Sequence, residues 1–241
     1  VLNWLEYDLT IDGYFCYSAA TNKRATNASH PDADIWKNPY AHLQGDSTGN
    51  TAASDPAGDG YIILQGRKGD GIIDENVPVP TIRLEALRDG MEDYEYLYLY
   101  EAKLKKIISS LKVNVDVRDI MQMLYDALYW DVADFTRDGE RVLYVRERLA
   151  AMIQEDVDFL YTIARGGNTR TLTVYAKAGS TVTVNGKVLT GSNGKYTTTV
   201  TLTEGKVNEF TIAVNGKTAT AFAFPKLASR SSDAADLDKV E

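Results

Sequence analysis

The apolar positions of this chain run through three regimes: irregular clusters, then helical spacing, then two-residue alternation. Residues 1 to about 18 open with a short helical pattern (Trp4, Leu5, Tyr7, Leu9) and pass into the apolar and aromatic run Gly13-Tyr-Phe-Cys-Tyr-Ser18. A near-continuous run of that kind predicts a strand buried on both faces of a parallel sheet. Residues 19–60 are rich in Asn, Asp, Ser, Thr, Gly and Pro and carry Trp36 and Tyr40 around Asn38-Pro39. A loop of that length inside a compact domain points to function. Tyr61-Ile-Ile-Leu64 predicts a short strand, and residues 66–76 a second polar loop.

Helical spacing then takes over. Pro78 and Pro80 stand where a helix can start, and Thr81 can cap it. Apolar residues from Ile82 to Leu111 keep three-to-four spacing and form one amphipathic face. Gly90 interrupts that face and marks a kink or a close contact. A second helix is predicted from about Val117 to Asp131. A third is predicted from about Gly139 to Arg165, stopped by Gly166-Gly167.

After Gly167 the period is two. Alternation over 171–175, 181–184, 196–202, 210–214 and 218–224, with Asn-Gly pairs at 185–186, 193–194 and 215–216, predicts antiparallel hairpins. The recurrence of Val-Asn-Gly-Lys at 184–187 and 214–217 reads as turn chemistry used twice rather than as an internal repeat. The expected fold class is α/β plus all-β. It comprises the C-terminal part of a (β/α)8 barrel over 1–112, a helical segment over 113–167 and a small antiparallel β-sandwich over 168–226. Residues 227–241 have little to bury and read as a tail or linker.

Composition narrows the function. Of 241 residues, 34 are acidic and 26 basic, a formal charge of −8, which argues against a nucleic-acid partner because phosphate contacts need a basic face. No apolar run approaches the roughly 20 residues of a membrane span. One cysteine (Cys16) and two histidines (His30, His42) exclude an intrachain disulfide and a Cys/His metal cluster. Cys16 reads as an inert core thiol, and the histidines as surface loop residues. The 15 tyrosines suit half-buried helix positions, and also sugar faces. Val1-Leu2-Asn3-Trp4-Leu5 begins mid-pattern with no charged leader, so the chain is expected to be the C-terminal piece of a longer protein.

No complete catalytic motif occurs, and neither a metal nor another cofactor is expected. Asp70, Asp74 and Glu75 do not follow the spacing of an EF-hand loop. The densest polar cluster is Arg83, Glu85, Arg88, Asp89, Glu92 and Asp93. On a helix Glu85, Asp89 and Asp93 lie one turn apart, and Arg88 reaches Glu85 or Glu92. Paired carboxylates can do acid/base work on a glycosidic bond, but their alternation with arginines favours a structural ion-pair network. The candidate substrate-binding residues are Tyr17, Trp36 and Tyr40, an aromatic wall beyond the end of a strand where barrel enzymes place their sites; packing of the loop onto the barrel competes with that role.

Two segments carry a resemblance. Gly58-Asp-Gly-Tyr-Ile-Ile-Leu64, followed by Pro78-Val-Pro-Thr-Ile-Arg-Leu-Glu-Ala-Leu-Arg-Asp-Gly-Met-Glu-Asp-Tyr-Glu-Tyr-Leu97, resembles the C-terminal catalytic-region signature of glycoside hydrolase family 123 and its relatives, which carry the DUF4091 label. Ile11–Ser18 is similar to that family's last barrel strand, and Asp34–Tyr40 to its Trp-containing loop. The chain has Cys16-Tyr17 where the family usually has Tyr-Trp, and Leu64-Gln65-Gly66 where it has Tyr-Pro-Gly. The resemblance implies a barrel acting on an N-acetylhexosamine-containing glycan by substrate-assisted retaining hydrolysis, in a secreted or cell-surface protein. It also implies that the catalytic Asp–Glu pair lies upstream of Val1, so the fragment alone is not expected to hydrolyse anything. Two other readings stay open: a non-catalytic carbohydrate-binding or structural surface-assembly module, and carbohydrate binding by the sandwich alone, where Tyr196 is the expected exposed aromatic.

Overall fold

A computed structural model describes residues 1–13, 62–65, 77–132 and 134–226. All but Gly13 of the strand expected over 13–18 lies outside these residues, as do both histidines, Cys16 and the loop aromatics Tyr17, Trp36 and Tyr40. The chain divides into two units, residues 12–89 and residues 1–11 with 90–241.

In the first unit β1 (Ile63–Gln65) and β2 (Pro78–Pro80) form an antiparallel pair with Ile63 opposite Pro80. Pro78 and Pro80 therefore belong to a strand and do not open the helix. A two-stranded ribbon is all edge, and it tolerates residues with no N–H to donate. Thr81 turns the chain: its amide and hydroxyl both donate to the Ile62 carbonyl, at 3.1 and 2.7 Å, and its own carbonyl accepts from Leu84 N at 3.0 Å. Helix α2 (Ile82–Leu111) starts there.

The larger unit holds most of α2, with α1 (Leu2–Asp8), α3 (Val117–Leu128) and α4 (Gly139–Gln154). Asp116 and Asp138 cap α3 and α4, accepting from Arg118 N at 2.9 Å and Glu140 N at 3.0 Å. In α3 every residue from Met123 to Leu128 is buried, which makes it the central helix of this unit.

Helix α4 ends at Gln154, eleven residues before the expected Arg165. Glu155 leaves helical geometry (φ −57°, ψ 127°), and the Lys103 ammonium of α2 donates to the carbonyls of Met152, Ile153 and Glu155. The apolar residues that extended the apparent helix, Phe159 to Ile163, instead build the strand β3 (Leu160–Ile163). Gly166-Gly167 then lies in the β3–β4 connection and not at a helix end.

The remaining strands are β4 (Thr169–Tyr175), β5 (Val182–Val184), β6 (Lys187–Leu189), β7 (Gly191–Ser192), β8 (Lys195–Thr201), β9 (Asn208–Val214) and β10 (Lys217–Ala223). They form two antiparallel four-stranded sheets, ordered β3-β4-β8-β7 and β10-β9-β5-β6. Alternate residues are buried along several strands: Leu172 and Val174 on β4, Val182 and Val184 on β5, Phe210, Ile212 and Val214 on β9. These side chains share one core with Leu97, Leu104, Leu124 and Leu149 of the helices.

The recurring Val-Asn-Gly-Lys has a specific structural use. Both asparagines sit at positive φ (48° at Asn185, 49° at Asn215), each followed by a positive-φ glycine, as a tight right-twisting hairpin needs. Each also pairs across to the neighbouring strand. Asn185 N donates to Thr211 O at 2.8 Å, and Thr211 N donates to Asn185 Oδ1 at 2.9 Å. Asn215 N donates to Thr181 O at 3.0 Å, and Thr181 N donates to Asn215 Oδ1 at 2.9 Å. The antiparallel pair β5–β9 thus carries the same amide-to-threonine clasp at both ends.

Candidate functional site

Helix α2 carries all six polar residues singled out from the sequence. In residues 12–89, Arg88 pairs with Glu85 at 2.6 Å and with Asp89 at 3.3 Å, all on exposed or half-exposed side chains. Exposed pairs of this kind contribute up to about 1 kcal/mol each. Arg83 is exposed on the same stretch.

Glu92 and Asp93 are placed differently. Arg146 of α4 lies between them, 2.7 Å from Glu92 Oε2 and 2.8 Å from Asp93 Oδ1. The guanidinium also stands 6.0 Å from the Tyr96 ring centroid. Asp93 is buried and accepts from the indole Nε1 of the fully buried Trp4 at 2.9 Å. A carboxylate held on one oxygen by an indole N–H and on the other by a guanidinium joins three helices and presents nothing to a substrate.

Helix α1 is fixed to this network by close contacts. A Cβ on Gly90 would lie 2.1 Å from Asn3 Oδ1, so α1 sits against α2 where only glycine leaves room. One turn on, the Tyr7 ring packs edge-on against Tyr94 at 4.8 Å, and its hydroxyl donates to Glu101. Burial and that carboxylate push the Tyr7 phenol far above its ordinary value. At the other end of α1, Asp8 accepts from Arg118 Nε and from the Tyr129 hydroxyl, each at 2.9 Å.

A second polar cluster, absent from the sequence reading, surrounds Trp130. The charged ends of Arg165, Lys226 and Arg170 lie 4.4, 5.0 and 5.9 Å from the indole ring centroid. Arg165 also reaches the buried Asp126 at 3.2 Å, and Gln122 donates to the same carboxylate at 2.8 Å. Burial raises the Asp126 carboxyl above the usual carboxylate value, against the opposing pull of Gln122 and the two arginines. Gln122 and Asp126 stand one helical turn apart, but the cations reach Trp130 and Asp126 from distant segments, so no local motif signals the cluster.

Among the C-terminal aromatics Tyr196 is buried at 5% exposure, which corrects the expectation that it is the exposed one. Tyr175, directly opposite Lys195, is half-buried and accessible. Among the described residues no group of three His, Cys, Asp or Glu side chains is arranged to hold a metal ion. No helix among them is long and apolar enough to cross a membrane. No family model, curated protein or solved structure matches the chain.

Proposed function

We propose that the chain is the C-terminal portion of a carbohydrate-active glycoside hydrolase resembling the β-N-acetylgalactosaminidases. The observation that carries this reading is the run Arg83-Leu-Glu-Ala-Leu-Arg-Asp-Gly-Met-Glu-Asp-Tyr-Glu-Tyr-Leu97, its specificity as a signature and its preceding Gly58-Asp-Gly segment. In this reading Tyr17, Trp36 and Tyr40 stack against an N-acetylhexosamine of the glycan. The two C-terminal sheets form a β-sandwich accessory to the end of a barrel, and the protein is secreted or held at the cell surface. The catalytic Asp–Glu pair belongs to a segment outside this sequence. The substrate's own acetamido oxygen attacks the anomeric carbon while that pair orients it and protonates the leaving oxygen, a departure from the two-carboxylate scheme. The test is an aryl N-acetylgalactosaminide assay on the protein that includes the upstream segment. Release of the aryl alcohol with retained anomeric configuration supports the reading, and no turnover with any hexosaminide sinks it.

A second reading, a non-catalytic carbohydrate-binding or surface-assembly module, is favoured by the use the helix makes of its acids. Glu85, Asp89, Glu92 and Asp93 are each engaged by an arginine. Glycan binding or self-assembly without turnover would support this alternative, and an intact upstream Asp–Glu pair would count against it.

A further inference from the structure

We infer that the cleft between the α2–α3 connection and the β7–β8 edge of the first C-terminal sheet binds an anionic saccharide, a sugar bearing carboxylate or sulfate. The cleft is wide and open to solvent, with a volume of about 820 Å³. Lys112 and Asn114 line it from the end of α2, and Tyr175, Lys195, Thr197 and Asn193 from the sheet.

Its chemistry is selective. The chain carries 34 acidic side chains, yet among the described residues no Asp or Glu lines this cleft, and two lysines do. None of the ion pairs among the described residues engages Lys112 or Lys195. Two ammonium groups over hydroxyl and amide donors form a local positive site on a negative molecule. Tyr175 adds the flat apolar face a sugar ring stacks on, with Lys195 Nζ 5.9 Å from its ring centroid. The cross-strand pair Tyr175–Lys195 places both side chains on one face of the sheet, together with Thr197 two residues on.

The rim is also pre-shaped. Asn193 and Gly194 turn at φ 52° and 78°, and a Cβ on Gly194 would lie 2.4 Å from the Ala176 carbonyl oxygen. The turn carrying Asn193 is thus pressed against the end of β4, and ligand groups meet a site that needs little ordering. Other anionic partners fit less well. A nucleic acid would face the −8 charge of the whole chain, and among the described residues a peptide would find only Val113 and Tyr175 as apolar lining. The inference does not rest on the hydrolase reading, because it uses no residue of the signature or of the upstream loops.

The test is calorimetric titration of the 241-residue chain with tetragalacturonate, a sulfated galactan tetrasaccharide, neutral chitotetraose and inorganic sulfate. Either charged sugar should bind at least tenfold more tightly than chitotetraose or sulfate, and the stronger of the two identifies the anionic group. Lys112→Gln and Lys195→Gln should each weaken binding about tenfold, as expected for one charge-assisted contact. Lys187→Gln, on the exposed β6 strand, should leave it unchanged. Raising salt from about 50 to 500 mM should weaken it further. The assignment fails if neither charged sugar binds at millimolar concentration, if chitotetraose or sulfate binds equally well, or if the folded Lys112→Gln/Lys195→Gln chain binds like the parent. Hexosaminidase activity, present or absent, does not enter any of these outcomes.

Discussion

The indole N–H of Trp4 and the carboxylate of Asp93, 89 positions apart, meet at 2.9 Å inside the core. Asp93→Ala removes the hydrogen-bond acceptor of Trp4 and the ion-pair partner of Arg146 and should destabilise the fold by about 2–3 kcal/mol, below the range of a fully buried pair because Arg146 keeps some solvent. Trp4→Phe retains the ring and loses the donor. A double-mutant cycle by urea denaturation should give a coupling of about 1 kcal/mol, and strict additivity would mean the hydrogen bond contributes nothing.

The contact of Gly90 with Asn3 makes an unusual prediction for a helix interior. Gly90→Ala should gain about 1 kcal/mol of helix propensity yet come out destabilising, since the new methyl lands 2.1 Å from Asn3 Oδ1. In an Asn3→Ala background the same substitution should become stabilising. Thermal melts of the four variants read the change of sign directly.

Lys103 closes the end of α4 by donating to three carbonyls, those of Met152 at 2.6 Å, Ile153 at 3.3 Å and Glu155 at 2.5 Å. Lys103→Met preserves the aliphatic stem and leaves those carbonyls without their donor. A loss of about 2–3 kcal/mol is expected, concentrated at the α4–β3 junction. Hydrogen exchange should show faster opening of residues 152–163 ahead of the sheets.

Asp126 links stability to pH with an inverted sign. Its folded-state carboxyl titrates above the unfolded value near 3.8, so the folded state favours the protonated form. The stability this group supplies is present below the unfolded value and is lost as pH rises through the folded one. Asp126→Asn should therefore gain on the parent between about pH 4 and neutrality, because the amide does not titrate. Urea titrations at the two pH values measure the difference, and a gap that shrinks as pH rises would contradict it.

What was readable from the sequence divides by the range of the physics involved. The hairpins follow from Asn-Gly pairs flanked by alternating residues, and all three pairs turn at positive φ. Helix α2 follows from its spacing. The end of α4 was not readable, because Phe159 to Ile163 keep an apolar density that suits either period. The carbonyls at its end are met by Lys103, about fifty residues upstream. The burial of Tyr196 was hidden by the threonines around it, which carry no contrast between the two faces of β8. The ion-pair partners Arg146 for Asp93 and Arg118 for Asp8 come from other helices, and residue spacing on one helix cannot name them.

The two asparagine clasps on β5 and β9 also guard against slippage. Sliding one strand past the other by a single residue would break both clasps together and turn Val182 and Val184 from the core to solvent. A two-residue slip would keep the buried face but carry both asparagines away from their threonines and pull both hairpin turns out of line. Two amide side chains, one at each end, thus act as paired stops that leave this ribbon of valines and threonines a single alignment.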